Sequence, residues 1–110
     1  MTTLSKAAIG LFIGDRFLMI TECDRTAIVQ LAARYGVGRA LLFGSSADPA
    51  REGRDIDLAV EGLPPGRFFA FYGDLVFSLS KPVDLVDLST DSEFTRLVCR
   101  EGIPVYVQAQ

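Results

Sequence analysis

The stretch Leu42-Phe43-Gly44-Ser45, nine residues of connection, then Asp55-Ile56-Asp57-Leu58 limits what this chain can become more than any other. It reads as a buried apolar run, an abrupt Gly-Ser turn, and a second strand with two acidic residues on one face. Successive strand side chains point to opposite faces, so Asp55 and Asp57 share a side while Ile56, Leu58 and Val60 take the other. Two same-side carboxylates about 6.6 Å apart along a strand can converge on a pair of cations roughly 3.5–4 Å apart. The Gly44-Ser45 turn, if it opens a helix, offers backbone N–H groups and a hydroxyl to a phosphate.

Asp is depleted in strands, so two at alternate positions call for an explanation. A third carboxylate strengthens it. Asp84 falls mid-strand between Val83 and Leu85, with Val86 and Leu88 on its own face, where a charge costs several kcal/mol unless a cation meets it. Asp87 competes for the third place but sits nearer the strand end, where solvation is cheap. The chain has no histidine, which removes Ser-His-Asp and Cys-His catalysis and His-ligated zinc, copper and iron. A metal held by carboxylates, carbonyls and water is Mg²⁺, Mn²⁺ or Ca²⁺.

The 110 residues suit one domain, residues 1–110, and 49% hydrophobic with 23% charged residues describes a globular protein. A formal charge of −3 with scattered basic residues argues against direct nucleic-acid binding. The apolar stretches are far shorter than the roughly 20 residues a bilayer crossing needs. The run Ala7 to Ile13 lacks the flanks of a signal peptide, so no membrane and a cytoplasmic location are expected. Cys23 and Cys99 are unpatterned and read as buried free thiols.

Residues 1–20 form an appendage that reads two ways. Ile9, Leu11 and Ile13 alternate like a strand, and Gly14-Asp15 could turn a hairpin into Phe17–Ile20. A helix including Gly10 and Gly14 is also open, each glycine costing about 1 kcal/mol. Thr21 with Asp24 marks a helix start, running to about Tyr35 with Ile28, Leu31, Ala32 and Tyr35 on one face and Gly36 ending it. Arg39–Phe43 is an apolar central strand, Asp55–Val60 the next. Pro64 and Pro65 suit the first turn of a helix from about Pro65 to Leu79. Its apolar stripe takes Phe68, Phe69, Phe71, Tyr72, Leu75, Val76 and Leu79, with Phe77 opposite. Lys81–Leu88 is a third strand, Asp91 opens a helix with Phe94, Leu97 and Val98, and Ile103–Val107 is an edge strand containing Pro104. The expected fold class is α/β (α+β), a small mixed sheet flanked by helices.

The segment LFGSSADPAREGRDIDLAV, residues 42–60, resembles the signature of the DNA polymerase beta-type nucleotidyltransferase superfamily: a hydrophobic residue, Gly-Ser, a spacer of about ten, then Asp-x-Asp. With KPVDLVDL at 81–88 and REGIPVYV at 100–107, the chain is similar from about residue 24 to 107 to the minimal nucleotidyltransferase (MNT) proteins. The resemblance implies a nucleotidyltransferase fold, ATP as substrate and two Mg²⁺ ions. It places Asp55, Asp57 and Asp84 as metal ligands and catalytic residues. Gly44 and Ser45 would touch the terminal phosphates. Family members often continue Gly-Ser with Ala-Arg-Gly and carry Ser before the first Asp. Here those positions read Ala47-Asp48-Pro49 and Arg54, so Arg51 or Arg54 is the nucleotide-binding cation by position.

MNT proteins commonly act as antitoxins beside a HEPN-domain ribonuclease toxin, which makes AMP transfer to a protein hydroxyl the leading expectation. A domain this small has little room for both nucleotide and acceptor, which also suggests that a partner completes the site. The alternative is a catalytically inactive module of the same fold that neutralises a partner by binding; transfer to a small molecule such as an aminoglycoside usually needs a further domain. Phe77 is expected to contribute to an interface, with the partner or in a homo-oligomer.

Overall fold

The structure is a computed structural model and describes residues 11–13, 16–18, 20–44 and 55–109. Near the N-terminus, β1 (Leu11–Ile13) pairs antiparallel with β2 (Arg16–Leu18), so the segment takes the hairpin form of the two expected. Helix α1 (Glu22–Tyr35) starts where the local chemistry places it. The Thr21 hydroxyl accepts from the Asp24 N–H at 3.0 Å, satisfying one of the first turn's orphan donors. The Gly36 N–H closes the other end on Ala32 and Ala33 carbonyls.

Four strands form the main sheet: β3 (Arg39–Phe43), β4 (Ile56–Glu61), β5 (Val83–Asp87) and β6 (Ile103–Val107), in the order β5-β4-β3-β6. β3 is central and antiparallel to both neighbours, while β4 and β5 run parallel. A parallel pair needs a crossover, and α2 (Phe68–Ser78) supplies it. Alternation divides the sheet into two faces. Ala40, Leu42, Ile56, Leu58, Val60, Val83, Ile103 and Val105 join Ile28, Leu31 and Ala32 of α1 and Phe71 and Leu75 of α2 in the larger core. The other face carries Leu41, Ala59 and Leu88 under Val98 of α3 (Glu93–Glu101). This is the mixed-sheet α+β architecture expected, with β6 on an edge.

Several boundaries and faces differ from the expectation, each for a local reason. α2 begins at Phe68 rather than Pro65, because Pro64 to Arg67 closes a turn instead: Arg67 N–H reaches the Pro64 carbonyl at 3.3 Å. Gly66 there has φ +85, the third-position conformation that such a turn reserves for glycine. The buried side of α2 is narrower than expected, centred on Phe71 and Leu75, and Phe69 is exposed. α3 is capped by Ser92, whose Oγ accepts from Thr95 N–H at 3.1 Å; Asp91 pairs with Arg96 at 2.8 Å. Phe94 and Leu97 of α3 are about half exposed. The cysteines are free but not buried, Cys23 being exposed and Cys99 half-buried. No helix among the described residues is long and apolar enough to cross a membrane.

Two side-chain links fasten α1 to its neighbours. Asp24, only 2% exposed, accepts from Ser80 N–H at 2.9 Å and Ser80 Oγ at 2.6 Å, tying the start of α1 to the segment between α2 and β5. Tyr35 donates its hydroxyl to Asp74 Oδ2 of α2 at 2.6 Å. That hydrogen bond, then burial and the Asp74 charge, raises the Tyr35 pKa above its usual value.

Two outcomes follow. Asp24→Ala strands the Ser80 donors and is expected to destabilise the fold by roughly 1–3 kcal/mol, read from thermal melts. For Tyr35, the folded phenol keeps a proton that the unfolded chain loses near pH ~10. Its contribution is full below that pH and is lost as pH rises through the raised folded pKa. Tyr35→Phe is expected to flatten this alkaline loss in urea unfolding curves.

Candidate active site

The register of three strands builds the site. Phe43, the last residue of β3, pairs with Asp57 of β4, and Asp57 pairs with Asp84 of β5. Residues paired across a sheet share a face, so Phe43, Asp57 and Asp84 stand in one row. That face is the one α3 covers: Ala59 and Val86, two residues further along β4 and β5, pack under it. With strands about 4.8 Å apart, the two aspartates are next neighbours. Asp57 is half-buried and Asp84 exposed. Phe43 also meets the ring of Phe94 edge-on, with centroids 5.8 Å apart.

Gly44 turns the chain off β3 directly over this row. Its φ is +62, and a Cβ there would run into the Asp57 carboxylate. Glycine is needed twice over, for the left-handed backbone and for the close approach.

The structure thus brings Gly44, Asp57 and Asp84 together. It does not do the same for Asp55, which is exposed at the bend before β4 rather than inside the strand. Ser45, Arg51 and Arg54, with the connection that holds them, lie outside the described residues. Contrary to the expectation of a costly buried charge, β5 is an edge strand and Asp84 is exposed, so no burial cost demands a cation. What marks Asp84 is its place beside Asp57. Asp87 falls on the opposite face of β5 and accepts from Ser89 N–H at 2.9 Å, a strand-end cap. Nothing in the sequence signals that Phe43 stands beside Asp57 with its ring against Phe94; the alternation of β3 is legible, but its register against Asp57 is not.

An all-oxygen pair of carboxylates on an open face suits a hard divalent cation. Among the described residues, no three acidic or thiol side chains group closely enough to hold a metal by themselves. Nor does the Asp84 carboxylate have a hydrogen-bond or ion-pair partner among them.

The chain belongs to the polymerase beta nucleotidyltransferase family: the family model described as Polymerase beta, Nucleotidyltransferase matches residues 26–110. Solved structures similar to it include toxin–antitoxin pairs. A toxin–antitoxin structure with AMP-PNP is similar at 26% identity over 78% of this chain and 75% of that one, with a TM-score of 0.63. The toxin–antitoxin MntA-HepT follows at 24% over 77% and 71%, TM-score 0.58. A tri-AMPylated Shewanella oneidensis HEPN toxin in complex with MNT antitoxin gives 24%, the same coverage, and a TM-score of 0.56. The last two likenesses are of fold. No curated protein matches significantly.

Gly44→Ala is expected to destabilise the chain by roughly 1–3 kcal/mol from backbone strain. It should also displace Asp57, so that the loss of nucleotide-dependent thermal stabilisation exceeds the loss of fold.

Proposed function

We propose that this chain transfers AMP from ATP to a hydroxyl on a HEPN-domain partner and so acts as the antitoxin of that pair. The observation that carries the reading is the Asp57–Asp84 register beneath the Gly44 turn, in a chain of nucleotidyltransferase family. The toxin–antitoxin structure holding AMP-PNP supports ATP as the substrate. The AMPylated HEPN toxin bound to an MNT antitoxin supports the acceptor and the partner.

The backbone at Gly44 and the Ser45 hydroxyl receive the terminal phosphates, with Arg51 or Arg54 offsetting their charge. Asp57 and Asp84 would hold Mg²⁺, which when bound neutralises triphosphate charge and acidifies the acceptor hydroxyl, and Asp55 would join them only by moving from its place at the bend before β4. Asp84, on the exposed edge strand, faces the side from which an acceptor can approach and takes the hydroxyl proton. The acceptor oxygen bonds to the α-phosphorus, the bond from that phosphorus to the bridging oxygen breaks, and pyrophosphate leaves. Among the described residues nothing encloses an acceptor beside the row, and the partner's own surface completes the site.

The test is incubation with α-labelled ATP, Mg²⁺ and the HEPN partner, following label on protein. Asp57→Asn is expected to reduce transfer to background with the thermal transition retained. Asp84→Asn is expected to cost about 10²–10⁴-fold, the range for a lost general base. Asp87→Asn should be mild. Equal turnover in wild type and Asp57→Asn would end the hypothesis that Asp57 holds the metal. Partner binding without any label, in the intact protein, would favour neutralisation by contact alone.

A further inference from the structure

The outward side of α2 is apolar and uncovered. Phe69 and Phe77 are 82% and 92% exposed, and Val76 and Tyr72 extend the patch. Gly73 is the midpoint of this eleven-residue helix. With about 3.6 residues per turn, four residues overshoot a turn by about 40° and three fall short by about 60°. Phe69 and Phe77 therefore flank Gly73 at equal angles on opposite sides, one turn below and above it. Ala70 and Val76 do the same at the wider angle. Nothing lies within 4 Å of where a Gly73 Cβ would stand, and its φ is not in the left-handed region. This glycine weakens the helix without serving its own fold.

We propose that α2 is a two-fold dimer interface, on which the α2 helix of a second copy packs antiparallel across Gly73. The helix is self-complementary under that rotation. Phe69 meets the partner's Phe77, Ala70 meets the partner's Val76, and the two midpoint glycines let the backbones approach. A partner of unrelated sequence has no need of an apolar pattern symmetric about the helix midpoint; an isologous contact requires one.

Charge agrees with this arrangement. α2 carries no acidic residue in its first turn and no basic one in its last. An antiparallel copy sets the negative end of one helix dipole beside the positive end of the other. Asp74, the helix's one charge, lies to the side and accepts from Tyr35, so like charges do not meet on the axis. The area is adequate as well. At roughly 150–250 Å² per aromatic ring, Phe69 and Phe77 alone offer about 300–500 Å². That is near half of the ~800 Å² each side contributes to a standard interface. Ala27, Gln30 and Arg34, which line a groove against Phe77, are placed to form its rim. Because α2 packs on the sheet face opposite Asp57 and Asp84, pairing leaves both acidic rows open.

Sedimentation equilibrium of the full chain is expected to give the mass of two chains. Phe69→Ser with Phe77→Ser should halve that mass while the far-ultraviolet circular dichroism is unchanged. In a Cys23→Ser background, Gly73→Cys places two thiols on the axis, and mild oxidation should yield a covalent dimer. A monomeric parent chain overturns the proposal. So does a dimer that survives the double substitution, or one in which Gly73→Cys fails to cross-link. Loss of partner modification by the double variant of a monomeric chain would assign the face to the transfer partner instead.

Discussion

The antiparallel pairing of β3 with β4, from Arg39 against Glu61 to Phe43 against Asp57, is the constraint on which the site depends. Ala40, Leu41 and Leu42 are essentially inaccessible, so β3 is covered on both faces as well as paired on both edges. A slip of one residue would turn every β4 side chain over. Asp57 would then enter the apolar layer now filled by Ile56, Leu58 and Val60, at several kcal/mol for an unpaired carboxylate. The same register sets the Gly44 turn over Asp57. The hydrophobic core thus aims the acidic row, although no apolar residue need touch a substrate.

α2 connects the second half of the site to the first. By crossing from β4 back to a parallel β5, it lays Asp84 beside Asp57, a juxtaposition that a simple hairpin between the same strands would give in the reverse direction. Its inner residues Phe71 and Leu75 anchor that crossover in the main core. The Tyr35–Asp74 link holds its middle, and the Asp24–Ser80 link the segment just after it, against α1. Its outer aromatic residues take no part in this. One helix therefore has two duties separated by face: positioning β5 inwards and, on the proposal above, joining two copies outwards.

Much of the fold was legible because its signals are local. Thr21 with Asp24, and Gly36, fix α1 within a turn, and the apolar run of β3 needs no partner to be recognised. Local signals also misled where they were ambiguous. Two prolines open a helix or a turn, and Gly66 decided for the turn. The run from Phe68 to Tyr72 is so uniformly apolar that it gives a helix no phase, and Phe69 was placed inside when it is outside. A mid-strand acid such as Asp84 looks buried in the sequence; whether a strand lies on an edge is a property of the whole sheet, not of its residues. The place of Asp84 beside Asp57 comes from a register that spans α2 and cannot be read from either strand alone. Ser45, Arg51 and Arg54, expected on the phosphate side, lie outside the described residues.

On the proposed function, Asp57 and Asp84 act together on one divalent cation. Mn²⁺ bound in the presence of AMP-PNP, followed by electron paramagnetic resonance, reads this without any catalytic turnover. Binding is expected in the unaltered protein, sharply weakened by Asp57→Asn and by Asp84→Asn, and unaffected by Asp87→Asn on the opposite face. Binding that is indifferent to both Asp57→Asn and Asp84→Asn would contradict the account.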